Sequence, residues 1–130
     1  MRQGTQVTII AIGTMVATAL EAANSLSQEG IDCRVLSMST LKPADEAAII
    51  QAAAETGAIV TAEEHMEHGG LGCVVARVLA KCHPAPAEFV AIKDTYAESG
   101  SPAELLQKYG LTAEHIEQAV RSVLGRKKSA

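Results

Sequence analysis

The stretch Ala58-Ile59-Val60-Thr61-Ala62-Glu63-Glu64-His65-Met66-Glu67-His68-Gly69-Gly70-Leu71-Gly72 decides how this chain folds and where a site would lie. Its first five residues are apolar or β-branched, the pattern of a short strand covered on both faces. Acids and imidazoles crowd the strand's end, glycines turn the chain, and the periodicity predicts a helix from about Leu71. Open α/β sheets form their sites outside the carboxyl ends of strands. Only here do carboxylate, imidazole and glycine converge at such an end.

The plan of strand, turn and helix repeats on either side. Upstream, residues 7–12 are β-branched and apolar on both faces, which predicts a central strand. Gly13 ends it and Thr14 can cap a helix whose face is Val16, Ala19, Leu20, Ala23 and Leu26, with Gly30 as its stop. Residues 33–38 read as a second strand. Pro43 suits the first turn of the next helix, with Ala47, Ile49, Ile50 and Ala53 on one side and Gly57 at its end.

Downstream, Leu71, Val74, Val75, Val78 and Leu79 form the buried stripe of a helix over 71–81, and Pro84 and Pro86 stop it. Residues 89–93 read as a fourth strand. Ser101-Pro102-Ala103-Glu104 is a capping box with proline at the first helical position, opening a short helix that closes at Gly110. Thr112 caps a last helix with Ile116, Val120 and Val123 on its face and Arg121, Arg126 and Lys127 where the helix dipole favours cations. This order predicts an α/β fold of three layers, α/β/α, around a mostly parallel sheet of four to five strands. No linker or repeat divides residues 1–130, so a single domain is expected.

Composition narrows the function. Aromatic residues make up 2% of the chain and there is no Trp, so the core must be Val, Ile, Leu and Ala. A net charge of −4 argues against nucleic acid as a partner. The basic run Arg126-Lys127-Lys128 reads as a solvated tail. No apolar run reaches the roughly 20 residues needed to cross a bilayer, and no leader pattern opens the sequence. A cytoplasmic protein with no membrane partner is expected. Cys33, Cys73 and Cys82 are odd in number and fit neither a disulfide framework nor a zinc knuckle, so all three read as buried small hydrophobes.

The functional candidates are Glu63, Glu64, His65, His68, Gly69, Gly70 and Gly72. Free N–H groups at a helix start can hold an anion, although glycines there also simply allow a tight turn. Imidazole and carboxylate can bind a metal, but His65 and His68 stand three apart rather than four, in what reads as a glycine-closed loop. Acid–base work by Glu64 or His65 would need a substrate pocket that the chain does not announce. Polar contacts at a domain or subunit interface fit these residues best. The first strand–helix turn has Gly13 but not the other two glycines of a dinucleotide fingerprint, and no P-loop is present.

Four segments in order carry a family resemblance. They are Val7-Thr8-Ile9-Ile10-Ala11-Ile12-Gly13-Thr14-Met15-Val16; Lys42-Pro43; Thr61-Ala62-Glu63-Glu64-His65 with Gly69-Gly70-Leu71-Gly72; and the run from Ile92-Lys93-Asp94-Thr95-Tyr96 through Ser101-Pro102 to Tyr109-Gly110-Leu111-Thr112-Ala113. With them the chain resembles the C-terminal domain of transketolase, and most closely the C-terminal portion of bacterial and archaeal transketolases encoded as two polypeptides. Similar domains close 1-deoxyxylulose-5-phosphate synthases and the β subunits of 2-oxo-acid dehydrogenases.

The resemblance implies an enzyme of the pentose phosphate pathway that moves a two-carbon ketol unit between sugar phosphates. It also implies that thiamine diphosphate and a divalent metal, magnesium or calcium, are held by other domains. The expected partners are the N-terminal and pyrimidine-binding domains and further copies in a homo-oligomer. This chain would then carry no catalytic, cofactor-binding or metal-binding residue and serve as an assembly domain. Cys73 departs from the small or polar residue usual in the related turn. Residues 1–6 would be the remnant of a preceding edge strand or linker, leaving residues 33–38 as a bare edge that invites pairing between copies. A regulatory module binding a small molecule or anion at 69–72, and a hydrolase or metalloprotein using Glu64, His65 and His68, are the readings from other classes.

Overall fold

Strand β1 (Val7–Ala11) is buried at every position, as a strand covered on both faces must be. It lies between β2 (Cys33–Ser37) and β3 (Ile59–Met66), and β3 pairs in turn with β4 (Ala87–Ile92). The sheet order is β2-β1-β3-β4, and all three pairings are parallel. This computed structural model describes residues 3–13, 15–38, 46–66, 71–92 and 113–129, with the side chains of all but 64–66, 91–92 and 128–129. Among them the helices are α1 (Met15–Ser27), α2 (Glu46–Thr56), α3 (Leu71–Cys82) and α4 (Ala113–Ser129). The capping box at 101–104, the helix expected to Gly110, and Pro43 lie outside the described residues.

The strand order fixes the layers. The chain leaves β1 to one side and then crosses back past it to β3 and β4. Right-handed crossovers therefore put α1 on one face and α2 and α3 on the other. Two apolar clusters match this. Met15, Ala19, Ala22, Ala23 and Leu26 of α1 meet Ile116, Val120 and Val123 of α4 over Val7, Ile9, Val35, Val60 and Ala62. On the other face Ile49, Ala52 and Ala53 of α2 meet Leu71, Val75, Val78 and Leu79 of α3 over Ile10 and Ile59. The alanines keep the helices close to the sheet in the absence of large aromatics.

The expected three-layer α/β/α fold is the one observed, with four parallel strands among the described residues. Some local expectations need correction. Strand β3 does not end at Ala62 but continues to Met66. After an irregularity beyond Ala62 it pairs with β4 again at Met66 and Ile92. Ladder bonds use only the backbone, so polar side chains do not end the strand, and His65 lies on the strand rather than in a loop. Strand β4 begins at Ala87, two residues before the expected start.

Cys33 is buried, but Cys73 and Cys82 are exposed. Cys73 is two residues past Leu71, about 200° around the helix and off its buried stripe. Cys82 is the last residue of α3. Ala47, in the first turn of α2, is exposed, and the buried face there is Ile49, Ala52, Ala53 and Thr56.

The basic run is not a loose tail. Arg126 and Lys127 belong to α4. Arg126 Nη1 donates to Ala87 O at 2.8 Å and to Glu88 Oε2 at 2.8 Å. Lys127 Nζ donates to Thr56 O at 2.6 Å and Gln6 O at 3.0 Å. The first of these carbonyls belongs to the last residue of α2, where cations are favoured by the helix dipole. Gly57 follows with a φ of 73°, the left-handed conformation that ends helices. Inside the sheet end, Thr8 and Thr56 join hydroxyls at 2.8 Å, and Thr56 also donates to Ala52 O at 2.8 Å.

Among the described strands β2 and β4 are the edges. The start of β2 is bound to the N-terminal segment. Gln6 N donates to Asp32 O at 3.0 Å, Asp32 N to Gln6 Oε1 at 2.7 Å, and Arg34 Nε to Gly4 O at 3.1 Å. No described helix is long and apolar enough to cross a membrane.

Candidate functional site

The order β2-β1-β3-β4 has its topological switch between β1 and β3, where successive crossovers leave in opposite directions. The crevice beyond the carboxyl ends of these two strands is where ligands bind in open α/β sheets. Ile12 stands at this end of the sheet, and its N–H donates to Ala62 O at 3.3 Å. Beside it, Glu63 of β3 is bound to the N-terminus of α3.

The alternation of β3 explains what fills this place. Ala58, Val60 and Ala62 face the α1 and α4 layer, and Ile59 faces α2 and α3. Continuing in twos, Thr61 and Glu63 follow Ile59 toward α3. Both are completely buried. The Glu63 carboxylate accepts from Leu71 N at 2.7 Å through Oε1 and from Gly72 N at 2.6 Å through Oε2. A helix leaves its first four N–H groups without internal partners, and its positive end attracts an anion. Glu63 answers both needs with one side chain reaching eight and nine residues ahead.

Gly72 makes the approach possible. A Cβ built on it would stand 3.0 Å from Phe89 Cδ1 and 3.5 Å from both Glu63 Oε2 and Thr61 Oγ1. Without that carbon the helix start settles onto β3 and β4. Thr61 Oγ1 is buried and has no hydrogen-bond partner among the described residues.

Of the residues singled out from sequence, the structure thus brings Glu63 and Gly72 together. Glu64 and His65 are placed on β3 by their backbone, with side chains outside the described set. His68, Gly69 and Gly70 lie outside the described residues. Sequence reasoning missed Thr61 and Phe89. The signal for Thr61 was the period-two series Ile59, Thr61, Glu63; none marked Phe89, which reaches Gly72 only through the pairing of β3 with β4. Among the described residues no three His, Cys, Asp or Glu side chains are grouped to hold a metal ion. With the α3 N–H groups taken by Glu63, the described residues do not fit a diphosphate cofactor and its divalent metal.

The family model of the transketolase C-terminal domain matches residues 1–116. This chain belongs to the transketolase C-terminal domain family. A solved structure described as a split gene transketolase, inactive beta4 tetramer, superposes with a TM-score of 0.94 at 48% identity, over 97% of this chain and 41% of that one. The 6-deoxy-6-sulfo-D-fructose transketolase subunit of Clostridium sp. (strain MSTE9) is 44% identical over 98% of this chain and 39% of its own length. An apulose-4-phosphate transketolase subunit of Phocaeicola vulgatus is 44% identical over 87% of this chain and 36% of its own. A 1-deoxy-D-xylulose-5-phosphate synthase of Heliobacterium modesticaldum is 42% identical over 95% of this chain and 19% of its own. The domain therefore spans well under half the length of the relatives it matches.

Proposed function

We propose that this domain is the C-terminal assembly domain of a thiamine-diphosphate-dependent transketolase. The whole enzyme would move a two-carbon ketol unit between sugar phosphates in the cytoplasm, within the pentose phosphate pathway or a related sugar route. The observation that carries this reading is the likeness over 97% of the domain to a split gene transketolase of which it spans only 41%. The N-terminal and pyrimidine-binding domains would hold thiamine diphosphate, the divalent metal and the substrate. This domain would pack on them and on further copies, with residues 64–70 at an interface.

The switch-point geometry supports a non-catalytic role. Its one described carboxylate, Glu63, is buried and has both oxygens committed to Leu71 and Gly72, so it has no free geometry for moving a substrate proton. The 42% identity to a 1-deoxy-D-xylulose-5-phosphate synthase favours a second reading, the same brace in that enzyme.

One experiment separates these readings. The purified chain is assayed with thiamine diphosphate, magnesium and pentose phosphates, alone and then with polypeptides carrying the two missing domains. The expected result is no product alone and ketol transfer after complementation. Synthase activity from pyruvate and glyceraldehyde 3-phosphate in the complemented sample would move the assignment to the second reading. Turnover by the chain alone would refute both.

A further inference from the structure

The first turn of α3 gathers three hydrogen-bond donors around one small volume. Two are the N–H groups of Leu71 and Gly72, bound to Glu63. The third is the Thr61 hydroxyl, which is completely buried and has no hydrogen-bond partner among the described residues. It lies near the helix start, because a Cβ on Gly72 would stand 3.5 Å from Thr61 Oγ1 as well as 3.5 Å from Glu63 Oε2. The planar carboxylate offers two oxygens, and each is matched to one N–H. A third donor beside the helix start, the Thr61 hydroxyl, goes unused among the described residues.

We propose that the α3 N-terminus is a small-oxyanion site that the chain carries already filled, with Glu63 as a tethered ligand and Thr61 as a spare third donor. The inference stands apart from the choice of enzyme made above. Tethering gives the Glu63 carboxylate a high effective concentration at the helix end. A free phosphate group cannot compete with it, so the switch-point crevice of the wild-type domain takes no phosphorylated ligand at this turn. Deleting the carboxylate leaves two buried N–H groups unsatisfied, and that penalty drives capture of an anion from solution. The captured group would accept from Leu71 N, Gly72 N and Thr61 Oγ1.

The test uses the 130-residue chain as wild type, Glu63→Ala and Glu63→Gln. Each is titrated separately with sodium formate and sodium phosphate at constant ionic strength. The readouts are Tm and the amide 15N–1H shifts of Leu71 and Gly72. The wild type should show no saturable shift with either anion. Glu63→Ala should lose roughly 10 °C in Tm and regain part of it saturably, with both amides moving. A response to formate alone marks a carboxylate-sized volume, and a response to phosphate marks room for more oxygens; both support the site.

Glu63→Gln fills the volume without its charge, so it should lose stability and gain nothing from either anion. Adding Thr61→Val to Glu63→Ala should weaken anion binding about tenfold, the loss of one hydrogen bond to a charged group. If Glu63→Ala is unfolded at the working temperature, refolding on addition of anion, followed by far-UV circular dichroism, is the reading that supports the site. Saturable movement of the Leu71 and Gly72 amides in the wild type would overturn the proposal. So would a Glu63→Ala chain that gains no more from formate or phosphate than Glu63→Gln does.

Discussion

Lys127 is the residue whose role changed most between sequence and structure, and its replacement by Met isolates what its charge does. The ammonium donates to Thr56 O at 2.6 Å and Gln6 O at 3.0 Å from a half-buried position. Hydrogen bonds to charged groups contribute about 1.5–3 kcal/mol each when well shielded. Partial exposure lets water replace much of that, so about 0.8 kcal/mol per bond remains. The favourable field at the end of α2 adds about 0.3–1 kcal/mol. Met keeps the aliphatic stem, whose Cε lies 3.3 Å from where a Cβ on Gly57 would stand.

The expected loss for Lys127→Met is therefore about 2 kcal/mol at pH 7. With a urea m-value of about 2 kcal/mol/M, the midpoint should fall by about 1 M with the slope unchanged. Tm should fall by roughly 6–8 °C. Urea unfolding followed by far-UV circular dichroism measures both midpoint and slope. A midpoint within about 0.2 M of wild type would show that the Thr56 and Gln6 carbonyls are satisfied equally well by water, and the reasoning would fail.

Other substitutions test the site and the surface. Gly72→Ala places a carbon 3.0 Å from Phe89 Cδ1 and should destabilise by about 1–3 kcal/mol; a neutral result by thermal melting would mean the helix start is not tightly seated. Thr61→Val in the wild-type background removes a buried hydroxyl that has no partner among the described residues, so stability should stay unchanged or rise by about 1 kcal/mol. A loss of that size would show that the hydroxyl is already bonded. Glu55 titrates below the ordinary glutamate range because Gln51 and then Arg34 hydrogen-bond its carboxylate. A depressed folded value means the contribution is present above the unfolded pKa and is lost as pH falls through the folded one. Gln51→Ala should raise the Glu55 pKa in a carboxyl NMR titration, and an unmoved midpoint would assign the depression to Arg34 alone.

The fold was legible because its signals are local. Runs such as residues 7–12, helix faces such as Ile116, Val120 and Val123, and stops at Gly30 and Gly57 are set within one element. The site was half legible. The convergence of acids and glycines drew attention to the end of β3, but Glu63 read there as one member of a polar cluster. Its burial depends on α3 folding back over the strand, which no single segment encodes. Phe89 meets Gly72 through the register between β3 and β4, again a relation between distant segments. Lys127 read as solvated because basic residues near a terminus usually are, and its carbonyl partners lie 71 and 121 positions away. The two cysteines of α3 were misread because composition, rather than angle around the helix, was used to bury them.

The placement of α4 sets the order in which a nascent chain can mature. Ile116, Val120 and Val123 are fully covered, and they close the layer that begins with α1. Until α4 leaves the ribosome, α1 is the one described helix on that side of the sheet, and Val60 and Ala62 lack the cover that Ile116, Val120 and Val123 give them. A chain cut before residue 113 would lose the cover given by Ile116, Val120 and Val123 and become a client for chaperones or proteases rather than a smaller working module.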